Sequence, residues 1–194
     1  MPMEIEMRAR FDEAVHDRLI TRLEQVGEDL GRDDKHIHFY VLPDKLLKVT
    51  DNVTAGSAKM TLKASRIGRG AAFPETEIAI ARQDVPAAVR ILDELGFAGL
   101  RHEAFNRRRN FRFRGVEIAV KWSEAWGHHA EFELLLDEAA GRAAQEEAQT
   151  RITAVAHELG VRLMTEEELA EFTAAFEAAE SRRKDAAART APAG

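Results

Sequence analysis

Four short runs in this chain repeat a charged residue at every second position: Glu4-x-Glu6-x-Arg8, Glu75-x-Glu77, Arg107-x-Arg109 and Glu131-x-Glu133. Lys48, Lys63 and Lys121 add single cations in other runs that alternate with apolar residues. On an extended backbone, residues i and i+2 point to one side, so each Glu-x-Glu offers two adjacent carboxylates. Oxygen donors of this kind suit Mg²⁺ or Mn²⁺, which can bridge carboxylates to phosphates. Arg and Lys neutralise the remaining phosphate oxygens, Arg often by a two-point grip. Gathered in one cavity, these groups would position a polyphosphate and stabilise charge developing in phosphoryl transfer, with metal-activated water as the nucleophile. A single Glu-x-Glu is more often the wet face of an ordinary strand. Three pairs on three strands, with Arg-x-Arg on a fourth, are less easily read that way.

That chemistry requires elements that bring the runs together. Residues 4–11 alternate strictly, with Ile5, Met7, Ala9 and Phe11 on one face and the charges on the other, which is the period of a strand. Asp12 is placed to cap a helix running to about Leu30, with Val15, Leu19, Leu23 and Val26 at helical spacing. Strands are expected over 36–42, 46–50, 59–64 and 75–81, with Pro43-Asp44 as a turn and Gly68, Gly70 and Pro74 framing a loop. Asp84-Val85-Pro86 opens a second helix that Gly96 stops. Strands follow over 105–112, 116–122 and 129–136, the first two joined by a tight hairpin at Gly115. Helices are expected over 138–159 and from 165 to about 180, the second opened by a capping box at Thr165–Glu168. Eight antiparallel strands with short links predict an α+β fold built on a closed or nearly closed β-barrel with peripheral helices.

The 194 residues fit one domain, expected over 1–180, with a polar, Ala-rich and disordered tail over 181–194. Hydrophobic residues at 45% and charged residues at 32% describe a globular chain. The net charge of −6 gives no field that would favour nucleic acid or an anionic membrane. The absence of cysteine excludes disulfides, thiolate metal sites and thiol nucleophiles. No signal-like start and no apolar stretch of about 20 residues is seen, so a cytoplasmic protein is expected.

The ordered set of motifs resembles the CYTH superfamily, the triphosphate tunnel metalloenzymes. Glu4-x-Glu6-x-Arg8 is similar to that family's Glu-x-Glu-x-Lys signature. Tyr40, Leu47-Lys48-Val49, Thr61-Leu62-Lys63, Glu75-x-Glu77, Leu92–Phe97, Arg107-x-Arg109 and Gly127 with Glu131-x-Glu133 follow in family order. The resemblance implies an eight-stranded antiparallel tunnel that hydrolyses a triphosphate (tripolyphosphate, thiamine triphosphate or a nucleoside triphosphate) with Mg²⁺ or Mn²⁺, or cyclises ATP. It implies Glu4, Glu6, Glu131 and Glu133 as metal ligands, with Glu75 and Glu77 supporting. Glu4, Glu6 and Arg8 would then be catalytic. Arg8, Lys48, Lys63, Arg107 and Arg109 would hold phosphate, with Lys121 as an added cation.

Several positions depart from the family pattern. Arg8 replaces the signature lysine, Thr50 a strand arginine, and Lys121 an aspartate. Phe73-Pro74 stand where an arginine is common, and His36 and His38 where Gln and Asp are frequent. These departures leave room for a second reading, a module that binds nucleotide or polyphosphate without turnover. His36 and His38 share a face and are either metal ligands or neutral hydrogen-bonding groups. Of His128 and His129, at most one enters the cavity. Trp122 and Trp126 either stack on a ligand ring or pack at the barrel mouth. Arg107–Arg109 is a weak nucleic-acid patch, because alternation is expected to turn Arg108 outward. Three placements of the C-terminal helices remain open: plugging one tunnel end, pairing two copies as a homodimer, or packing outside.

Overall fold

Strand β1 (Met3–Arg10) runs straight into Asp12, whose carboxylate accepts the Val15 N–H at 2.8 Å and starts helix α1 (Glu13–Val26). The structure is a computed structural model that describes residues 3–64, 72–137 and 139–190. α1 stops at Gly27, earlier than the apolar periodicity predicts. Residues 28–32 instead form a short strand, β2 (Glu28–Arg32), laid along the distal half of β7. Salt bridges Arg112–Glu28 at 3.1 Å and Arg109–Asp29 hold it there.

The remaining strands are β3 (Lys35–Val41), β4 (Leu46–Asn52), β5 (Ser57–Lys63), β6 (Ala72–Ile80), β7 (Arg101–Phe113), β8 (Val116–Ser123) and β9 (Gly127–Leu136). They pair antiparallel in the order β7-β3-β4-β5-β6-β1-β9-β8, and β8 pairs back onto β7. Eight strands therefore close a ring, the antiparallel tunnel that the motif order implies, and β2 is the ninth strand outside it. The 13-residue β7 makes closure possible: residues 101–106 pair with β3 and residues 107–113 with β8. The predicted Gly115 hairpin joins β7 to β8, with Arg114 and Gly115 both at positive φ (51° and 74°) as a two-residue turn requires. The predicted loop at Gly68 and Gly70 lies outside the described residues, as do the side chains of Phe73 and Pro74.

The apolar faces of the strands turn away from the ring. Ile5, Ala9, Phe111, Ile118, Ala130 and Phe132 pack against Leu19 and Leu23 of α1 and against Ile152, Val155 and Ala156 of α3 (Arg142–Glu158). On the other side Tyr40, Val49 and Ala58 pack under Val85, Val89 and Leu92 of α2 (Val85–Leu92). Helix α4 (Glu166–Thr190) opens with the predicted capping box. The Glu168 N–H donates to Thr165 Oγ1 at 3.1 Å, and the Thr165 N–H donates to Glu168 Oε2 at 2.9 Å. It continues to Thr190, past the point at 180 where a disordered tail is expected to begin; residues 191–194 lie outside the described residues. Since Phe132 is fully buried between ring and helices and Leu135 is 68% exposed, Phe132→Ala should cost about 3–5 kcal/mol in urea unfolding. Leu135→Ala should cost less than about 0.5 kcal/mol.

Candidate active site

With apolar faces outward, every second residue of the ring points into the lumen, which encloses a cavity of about 270 Å³. β1 contributes Glu4, Glu6 and Arg8; β4 Lys48 and Thr50; β5 Lys59 and Lys63; β6 Glu75 and Glu77. β8 adds Lys121 and Ser123, and β9 adds His129, Glu131 and Glu133. One end is covered by α4, whose Thr173 and Phe176 line the cavity. Phe172 packs edge-on to Trp126 at 4.8 Å, and Phe176 lies 6.2 Å from the His102 ring. Of the three placements open for the C-terminal helices, the structure therefore shows α4 plugging a tunnel end.

The lumen has two electrostatic poles. At the first, carboxylate oxygens of Glu4, Glu6 and Glu133 lie within 4.8 Å of one another. Burial, then the neighbouring Glu6, pushes the Glu4 carboxyl up to about 8. Burial pushes Glu133 up to about 7, with Glu131 and Glu6 adding to it against Arg108. Lys63 is the local counter-ion, with Nζ 2.8 Å from Glu4, 3.2 Å from Glu6 and 2.7 Å from Glu75. Burial opposes its charge, but the three carboxylates outweigh that and raise its pKa. Lys48, without such a set, is pushed down to about 8 by burial and by Lys63.

At the second pole Glu131 is saturated with cations. Lys121 Nζ donates to Oε2, Arg8 Nε donates to Oε1 at 3.3 Å, and Arg108 stands 3.7 Å from Oε2. Burial works against this carboxylate, yet Lys121, Arg8 and Arg108 hold it well below the ordinary range. His129 beside it is pushed down to about 4 by burial and by Lys121. It is neutral at pH 7, and its Nδ1–H donates to the Gly127 carbonyl at 2.9 Å.

No family model matches the sequence, and no curated protein does. Solved structures do match. PH1012 from Pyrococcus horikoshii is similar at TM-score 0.67 and 24% identity, over 86% of this chain and 98% of that one. A candidate adenylate cyclase from Vibrio parahaemolyticus is similar at TM-score 0.64 and 18% identity, over 84% and 93%. HpAC1 from Hippeastrum, whose structure is described with a dominant triphosphatase activity, gives 0.57 and 17%, over 84% and 90%. The fold is that of the CYTH superfamily.

On the CYTH tunnel the sequence-derived residues sort as follows. Glu4, Glu6, Arg8, Lys48, Lys63, Glu75, Lys121, Glu131 and Glu133 share the lumen. Glu77 also lines it but is held by Lys59 at 2.5 Å and Thr61 Oγ1 at 2.9 Å. Arg107 and Arg109 do not face inward. Arg109 pairs with Glu24 at 2.6 Å and with Asp29 on the outside, and Arg107 stacks over Trp122, 5.1 Å from the ring centre. They share a face with Phe111, which is fully buried on the helix side. The inward residue is Arg108, which reaches Asp33 at 3.4 Å, Glu131 at 3.7 Å and Glu133 at 3.9 Å. The parity of Phe111 and Phe113 was the signal for this. Tyr40 also faces outward, donating to the Val89 carbonyl and Asp93, each at 3.2 Å. His36 and His38 share its face, 3.6 and 3.4 Å from Glu103, so neither of the interior roles read for them applies. Lys35, Lys59, Asn106 and Phe39 are lumen residues that the spacing argument missed.

Two outcomes follow from this sorting. Arg108→Ala should weaken tripolyphosphate binding by about tenfold or more in calorimetry, because a charged partner leaves the lumen; Arg107→Ala should leave it unchanged. Lys63→Met strands three carboxylates and should destabilise the protein by about 3–5 kcal/mol in thermal or urea unfolding. Added Mn²⁺ should recover part of that loss.

Proposed function

We propose that the lumen is a metal-dependent triphosphatase site, and one observation carries the reading. Three buried carboxylates converge within 4.8 Å in a closed cavity that also presents Arg8, Lys63, Lys48, Arg108 and Lys121. The donor set fits a hard divalent ion, being all oxygen and short of positive charge: Glu4 and Glu133 both sit above the ordinary carboxyl range. Glu4, Glu6 and Glu133 would hold Mg²⁺ or Mn²⁺, with Glu75 beside them. Such an ion, when bound, supplies Lewis-acid neutralisation of phosphoryl oxygens and activates water.

The chain's own residues do the rest. Arg8, Lys63 and Lys48 hold phosphate oxygens from the β1, β5 and β4 walls, and Arg108 and Lys121 hold them from β7 and β8. In hydrolysis the water oxygen bonds to the terminal phosphorus, the bridging P–O bond breaks, and the diphosphate leaves with its charge matched by these cations. The α4 plug keeps bulk water from one end and so strengthens each charge interaction inside. The similar fold of HpAC1, with its triphosphatase activity, and of the candidate cyclase from Vibrio parahaemolyticus supports a triphosphate substrate.

A second reading, binding without turnover, is favoured by the Lys121–Glu131 pair, which occupies a carboxylate the metal could otherwise use. Phosphate release from tripolyphosphate, thiamine triphosphate and ATP with Mg²⁺ or Mn²⁺ tests the first reading. Turnover should fall by about 10²-fold or more in Glu4→Gln and in Glu133→Gln. Chromatography of the ATP reaction should show ADP and phosphate rather than cyclic AMP. Tight binding with no turnover, converted to turnover by Lys121→Asp or Thr50→Arg, would establish the second reading instead.

A further inference from the structure

One wall of the lumen carries no charge. β3 presents Ile37, Phe39 and Val41 to the cavity, its ladder neighbour β4 adds Leu46 opposite Val41, and β7 adds Ala104 opposite Ile37. In the ring order β3 lies four strands from β1 whichever way one counts, so this wall stands across the lumen from Glu4, Glu6 and Arg8. Phe39 and Val41 are not packed away. Both remain partly exposed to the cavity, while Tyr40 between them is fully buried under α2 on the opposite face.

An inorganic tripolyphosphate carries charged oxygens on every side. Seated here, it would turn part of them toward side chains that can donate nothing, and a desolvated anionic oxygen without a partner is costly. A triphosphate bearing an organic group has no such conflict. Its phosphates take the charged arc, and its apolar part covers Phe39 and Val41, removing apolar surface from water. Resting on the triphosphate reading above, we infer that the site is built for an organic triphosphate, with the β3 wall as the seat of the organic group.

Calorimetry on the full chain with Mn²⁺ should compare three probes: tripolyphosphate, ATP and thiamine triphosphate. At least one organic triphosphate should bind about tenfold tighter than tripolyphosphate, as a ring seated on an aromatic side chain allows. Phe39→Ala should bring that ratio toward one while leaving tripolyphosphate affinity unchanged. Val41→Asn should do the same, and it serves if Phe39→Ala loses its cooperative thermal transition. Tripolyphosphate binding as tightly as both organic probes would overturn the inference and leave the triphosphate reading standing. Equal weakening of all three probes in both variants would also overturn it, and binding of none would end both readings.

Discussion

Closure of the eight-stranded ring is the constraint on which the rest of the structure depends. A strand in a closed ring has no free choice of faces: alternate residues go to the lumen or to the outside. Here the outside takes the apolar faces and must be covered, which is why α1, α3 and α2 pack on it. The lumen takes the charges, and with little water inside they must neutralise one another. Lys63 with three carboxylates and Glu131 with three cations are two halves of that requirement. Neither pattern would hold in an open sheet, where each side chain could reach solvent instead.

Neutralisation is uneven, and the unevenness is what can do chemistry. The Glu131 pole is complete and stays charged at any ordinary pH. The Glu4–Glu133 pole is incomplete, so its carboxyls drift upward, a state that a divalent ion would relieve. Lys121 decides which pole is which. An ammonium on Glu131 fixes a charge that a carboxylate at that position would have reversed, leaving one acidic focus in the lumen where two could have formed. An anionic substrate therefore meets fixed cations on one side and an ion-demanding corner on the other.

How much of this was legible depends on how well each strand's parity could be read. β1 declared itself, because Ile5, Met7, Ala9 and Phe11 alternate with charges that share the lumen. The glutamate pairs on β6 and β9 followed by the same rule. Three consecutive arginines on β7 satisfy either parity, and only Phe111 and Phe113 two and four residues beyond Arg109 break the tie. β2 was hidden because Val26 and Leu30 continue a helical spacing. What ends the helix is distant in sequence, the ion pairs of Glu28 and Asp29 with β7. β3 defeated the charge-inward rule altogether. His36 and His38 face out and Phe39 faces in, an inversion that local pattern cannot show and that marks the strand as different from its neighbours.

α4 bears on the same balance from outside the ring. Leu169, Phe172, Thr173 and Phe176 recur at helical spacing and are partly buried, so the helix has one face made for the tunnel end. Its approach is fixed at the start by the Met164 N–H, which donates to the Arg8 carbonyl at 2.7 Å. The Arg10 guanidinium over the Phe172 ring, 3.9 Å from its centre, holds it further along. Arg8 therefore belongs to both systems, with its main chain setting the plug and its side chain neutralising Glu6 and Glu131. A shift of β1 that moved the Arg8 guanidinium would also move the point where α4 is hung. The charge state of the lumen and the closure of its end are mechanically joined at that one residue.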